Sequence, residues 1–174
     1  DIEYMTFIPD NSVDRIICSM VLHSEYKHVD DVMRELWRIL KKGGILVIFE
    51  SIPMIDDSDS NSDGDNLFMN FYNSFLTMKE DRIMFTKGGL VELLGNSGFG
   101  DIVVEEIVLE QQSIKNWLYN SCTEDSLMDE IMDIHRNASE IVKKEINLVE
   151  RCNSDDNDTD IFCDWKFAVV KGIK

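Results

Sequence analysis

Two nearly uninterrupted apolar runs, Ile16 to Leu22 and Ile45 to Phe49, stand either side of an amphipathic stretch from Asp30 to Lys41. A strand with one wet face alternates apolar and polar residues, whereas a strand covered on both faces reads as a continuous run. The pattern therefore predicts a strand over 15–22, a helix over 30–41 and a strand over 44–50, a strand–helix–strand unit of the kind that builds a parallel sheet. On that helix Val32, Leu36, Ile39 and Leu40 share one face, with Met33 and Trp37 at its shoulder. Asp30 and Asp31 suit the positive end of the helix dipole, and Lys41-Lys42-Gly43-Gly44 suits a left-handed cap at the other end.

Downstream, residues 68–78 read as a helix with an aromatic face and residues 86–95 as another, ended by Asn96-Ser97-Gly98. Residues 101–109 read as a strand. Short helices are expected over 113–119, 123–135 and 138–149, and a final buried strand over 162–170. Residues 55–66, rich in Asp and Ser, form an expected acidic flexible loop with too little apolar surface to pack. Residues 111–150 read as a helical insertion before the last strand. The fold class is α/β, and 174 residues with 44% apolar content suit one domain spanning 1–174.

Charge narrows the partners. The formal net charge is −17, from 34 acidic against 17 basic side chains, which disfavours nucleic-acid backbones and anionic membranes and favours a small-molecule or protein partner. No apolar run approaches the ~18 residues of a membrane span. The expected location is cytoplasmic. Cys18, Cys122, Cys152 and Cys163 lack C-x-x-C spacing, so thiols without a disulfide framework or zinc are expected.

The segment Asp1-Ile2-Glu3-Tyr4-Met5-Thr6-Phe7, followed by Pro9-Asp10-Asn11-Ser12-Val13-Asp14, resembles the stretch before the fourth strand of class I S-adenosylmethionine-dependent methyltransferases, above all the methyltransferase-11 and ubiquinone/menaquinone type. Thr6 stands where proline is usual, and Pro9 is shifted. Glu35 to Gly44 is similar to the acidic helix of that group ending in R-x-L-K-x-G-G, and Leu90 to Phe99 to its L-x-x-x-G-F segment. The resemblance implies a partial Rossmann-like methyltransferase sheet made of family strands 4, 5, 7 and 6, with the last strand antiparallel between its neighbours. The family's glycine-rich loop and the strand bearing the ribose-binding acid have no counterpart here. A segment of roughly 100 residues, or a second chain, is therefore expected to complete the sheet beside the first strand.

By that resemblance the activity is methyl transfer from S-adenosyl-L-methionine to a small-molecule acceptor, with weak or no cofactor binding by this chain alone. Asp1 would accept a hydrogen bond from the adenine amino group, and the Ile2 backbone N–H would reach a ring nitrogen. Ser19 and Met20, at the carboxyl end of the first strand, would contact the methionine part, although sheet packing explains Met20 equally well. His23 follows directly, where many family members place a polar residue facing the reactive methyl, and histidine suits a general base at neutral pH; a solvated turn histidine is the plainer account. His23 with His28 lacks the further ligands that a metal needs.

Other features invite plainer readings. Asp59 to Gly64 imitates half of a calcium loop but lacks the closing glutamate. Phe68, Phe71, Tyr72 and Phe75 suit either an acceptor pocket or helix packing, as do Trp117 and Tyr119, while Arg82 and Lys87 suit either an acidic substrate or solvent. The alternative for the whole chain is a non-catalytic interaction module derived from the same fold, using the open sheet edge.

Overall fold

The computed structural model describes residues 2, 4–24, 26–55, 65–79, 82–121, 123–152 and 159–174. They form two compact units, one of residues 1–52, 85–107 and 167–174, the other of residues 53–84 and 108–166. The strands order as β1-β2-β5-β3, where β1 is Val13–Ser19, β2 Leu40–Ile52, β3 Gly100–Ser113 and β5 Thr159–Ile173; β4, Val149–Cys152, pairs β5.

In the first unit β1 and β2 run parallel, with Arg15 opposite Ile45, Cys18 opposite Ile48 and Ser19 opposite Phe49. Between them α1, Val29–Ile39, turns Val32, Met33, Leu36 and Ile39 inward. β5 lies antiparallel to β2: Gly43 N–H donates to Lys174 O at one end, and at the other Phe49 stacks on Phe167 with ring centroids 4.9 Å apart. The expected order of family strands 4, 5, 7 and 6 is thus present as β1, β2, β5 and β3. α3, Lys87–Asn96, opens on Thr86, whose hydroxyl accepts from Gly89 N–H at 2.9 Å, and it buries Leu90 and Leu94. Arg38 fixes the chain ahead of β1, donating to Met5 O, Ile8 O and the carboxylates of Asp10 and Glu35.

The Lys41–Gly44 stretch is not the expected helix cap. Leu40 is already extended and fully buried, and β2 advances from 40 to 45 while β1 advances from 13 to 15, so the stretch forms a bulge. Gly43 takes φ +76°, and a Cβ on Gly44 would stand 2.8 Å from Lys41 O and 3.1 Å from Asp14 O. The helix needs no glycine cap because its last carbonyls are met from elsewhere. Asn11 and Ser12 N–H donate to Arg38 O and Ile39 O, and Lys174 Nζ donates to Trp37 O and Leu40 O.

In the second unit α2 (Asp65–Lys79), α4 (Ile114–Asn120), α5 (Asp125–Arg136) and α6 (Glu140–Glu145) enclose a core that includes Phe68, Phe71, Phe75, Leu118, Ile131 and Val142. Ser113 and Ser139 cap α4 and α6 through their hydroxyls. The helix expected over 138–149 is shorter, because Asn147 at φ 49° turns the chain into the β4 strand. The Asp164 carboxylate ties the neighbourhood together, accepting from Gln111 N–H at 2.8 Å and Asn147 Nδ2 at 2.6 Å. Residues 56–64 of the expected acidic loop, with the calcium-loop imitation in it, lie outside the described residues.

Candidate active site at the carboxyl ends of β1 and β2

β1 ends at Ser19, three residues short of the expected strand, because Met20 enters the left-handed region at φ 53°. A non-glycine residue there costs on the order of 1–3 kcal/mol and persists only where its surroundings impose it. They do so here. Met20 N–H still donates to Phe49 O at 2.8 Å, and the following turn is seized by one side chain of β2.

That side chain is Glu50. It shares the inward row of β2 with Leu46, Ile48 and Ile52, and its solvent exposure is 0%. A buried carboxylate with no partners would be strongly disfavoured, so its oxygens are committed. Oε1 accepts from Val21 N–H at 2.8 Å and from Leu22 N–H at 2.7 Å, while Oε2 lies 2.8 Å from His23 Nδ1. Backbone amides of the turn and the His23 ring are thus gathered on one carboxylate.

His23 is not the solvated turn residue of the plainer account, since its side chain is only 10% exposed. Nδ1 is engaged by Glu50, and among the described residues Nε2 meets no protein partner. Ser19 and Met20 are exposed beside it, at the edge where open α/β sheets take ligands. Leu22, by contrast, is fully buried. Cys18, on β1 below the turn, has its thiol pushed up to about 12, by burial first and by the Glu50 charge second, so it stays protonated and acts as a small apolar group. Ile2 packs on the same apolar cluster as Cys18, Val21 and Leu22. Asp1 lies outside the described residues.

The structure therefore brings Ser19, Met20 and His23 together and adds Glu50, which the sequence reading did not select. Its signal was present: an acid ending an otherwise apolar strand at the ligand-binding edge of the sheet. The remaining candidates stand elsewhere. Phe68, Phe71, Tyr72 and Phe75 are buried in the second unit's core, where Phe71 and Phe75 flank the ring of His135 at centroid distances of 5.2 and 4.7 Å. Trp117 packs edge-on against Trp165, and Tyr119 is exposed. Lys87 pairs with Glu106 at 2.7 Å, and Arg82 lies half-buried in the irregular segment before α3. Among the described residues no cluster of three His, Cys, Asp or Glu side chains has the geometry to hold a metal ion. No described helix is long and apolar enough to cross a membrane.

Residues 1–48 match a family model described as a methyltransferase domain. No match was found among curated proteins. Among solved structures, a candidate methyltransferase of Bacillus halodurans C-125 superposes with a TM-score of 0.73 at 18% identity, over 100% of this chain and 75% of that one. The YcgJ protein of Bacillus subtilis gives 0.73 at 18% identity, over 99% of this chain and 68% of its own. A SAM-dependent methyltransferase of Archaeoglobus fulgidus gives 0.53 at 15% identity, over 99% and 64%. The β1-β2-β5-β3 order, the α1 crossover and these superpositions together identify the chain's architecture as the class I methyltransferase fold.

Proposed function

We propose that this chain takes part in methyl transfer from S-adenosylmethionine to a small-molecule acceptor, at an O, N or C atom. The observation that supports this most is the Met20–His23 turn: exposed Ser19 and Met20 at the sheet's ligand edge, and a histidine held from behind by a buried carboxylate. In this reading Asp1 and Ile2 face the adenine, Ser19 and Met20 line the methionine part, and His23 removes a proton from the acceptor. The transfer is an in-line displacement, so its main requirement is that donor and acceptor be held on one axis. A β1 turn locked by Glu50 provides a rigid wall for that alignment.

The cofactor assignment draws on the family model over residues 1–48 and on the name of the Archaeoglobus relative. In the same reading the chain holds the adenine-side half of the donor site, and a glycine-rich loop comes from a segment outside these 174 residues or from a second chain. Such a segment would also pair with β1, where Ile17 is 77% exposed. A cytoplasmic small-molecule reaction, with no nucleic-acid or membrane partner, fits the net charge of −17.

Isothermal titration with S-adenosylmethionine tests the proposal. A half-site predicts a dissociation constant near or above ~1 mM, about 4 kcal/mol of binding free energy. Micromolar affinity would contradict the half-site.

A further inference from the structure

We infer that Glu50 is a positioning residue for His23: it fixes the ring as the Nδ1–H form, so that an unprotonated Nε2 faces the acceptor. The inference rests on His23 being the base proposed above. Three observations carry it. Oε1 is already occupied by the Val21 and Leu22 amides, so the carboxylate cannot rotate away from the turn, and Oε2 is left facing Nδ1 at 2.8 Å. Glu50 is fully buried, so no water competes for Oε2. The ring, 10% exposed, has Nε2 as its remaining polar atom, with no protein partner for it among the described residues.

A carboxylate accepts hydrogen bonds and does not donate them, so the proton between Glu50 and His23 resides on Nδ1. In the neutral ring Nε2 then carries the lone pair. For an acceptor with a proton on its attacking atom, Nε2 takes that proton as the acceptor lone pair forms a bond to the methyl carbon. The carbon–sulfur bond breaks, its electron pair stays on sulfur, and the sulfonium becomes a neutral thioether. The positive charge passes to the imidazolium, which Glu50 stabilises from Nδ1.

Glu50→Gln separates this role from a merely structural one. The glutamine carbonyl is the group that can accept from Val21 and Leu22 N–H, which turns its NH2 toward His23. Nδ1 must then accept, and the proton moves to Nε2. Long-range 1H–15N correlation spectra at pH 8 read the two nitrogens directly and need neither donor nor acceptor, so the result stands apart from the methyl-transfer proposal. The protein has three histidines, and a His23→Gln spectrum assigns the signals. The expected result is a protonated, pyrrole-type Nδ1 and a pyridine-type Nε2 in the wild type, exchanged in Glu50→Gln. An unchanged pattern in a folded Glu50→Gln protein would overturn the inference. So would a wild-type ring protonated at Nε2, or at both nitrogens, an arm that holds even if the variant fails to fold.

Discussion

His135 offers the sharpest link between burial and stability. It lies on α5 with 1% exposure, its ring between Phe71 and Phe75, and its Nδ1 lies 2.8 Å from Ile131 O. Burial pushes its pKa down from 6.5 to about 4, against a smaller upward pull from the Ile131 carbonyl. The folded protein therefore takes up the proton later than the unfolded chain does. Stability from the neutral ring is fully present above ~6.5 and is lost as pH falls toward 4. A drop from 6.5 to about 4 corresponds to on the order of 3 kcal/mol. His135→Leu removes the titrating group while keeping an apolar side chain in the site. Urea unfolding of both proteins, followed by circular dichroism at pH 7.0 and at pH 4.0, isolates the effect, because titration of the acidic side chains is common to both. The wild type should lose on the order of 3 kcal/mol more than the variant between the two pH values. Parallel losses would refute the reasoning and mean that His135 is reached by solvent or stays charged in the fold.

Other substitutions test other parts of the frame. Glu50→Ala strands the Val21 and Leu22 amides and the His23 ring, and should cost about 3–5 kcal/mol in urea unfolding, whereas Glu50→Gln should cost much less. Gly44→Ala places a Cβ 2.8 Å from Lys41 O and should cost about 1–3 kcal/mol, read as a lower denaturation midpoint at unchanged slope. Lys174→Met removes the ammonium from Trp37 O and Leu40 O while keeping most of the stem, and should cost about 1–2 kcal/mol. A loss no larger than that of an exposed control, Lys144→Met, would show that the α1 carbonyls find water instead.

How legible each element was depended on how local its cause is. The β1–α1–β2 unit could be read because continuous apolar strands and an amphipathic helix are properties of adjacent residues. The sheet order came from the family resemblance. The end of α1 was misread because Lys41-Lys42-Gly43-Gly44 has the composition of a cap, while the residues that meet the helix carbonyls, Asn11, Ser12 and Lys174, come from distant parts of the chain. β4 escaped notice because four exposed residues, Val149 to Cys152, carry no alternation; their strand character comes from pairing with Thr159 to Phe162. At the candidate site His23 was visible as a polar residue after an apolar run. Glu50 was marked only as an acid at the end of an apolar strand, and its pairing with the β1 turn was not legible, because the carboxylate binds backbone amides 28 and 29 positions away, and backbone amides leave no mark in a sequence. The left-handed Met20 was equally hidden, since nothing about methionine favours that conformation.

The central claim is that the donor's binding site lies along the carboxyl ends of β1 and β2. Titrating 15N-labelled protein with S-adenosylhomocysteine into the millimolar range and following every amide tests it most directly. The account predicts saturable shifts concentrated at Ile2, Ser19, Met20 and His23, with the amides of α4 to α6 unmoved. Shifts confined to the helices of the second unit, or none at all at the β1 turn, would contradict it.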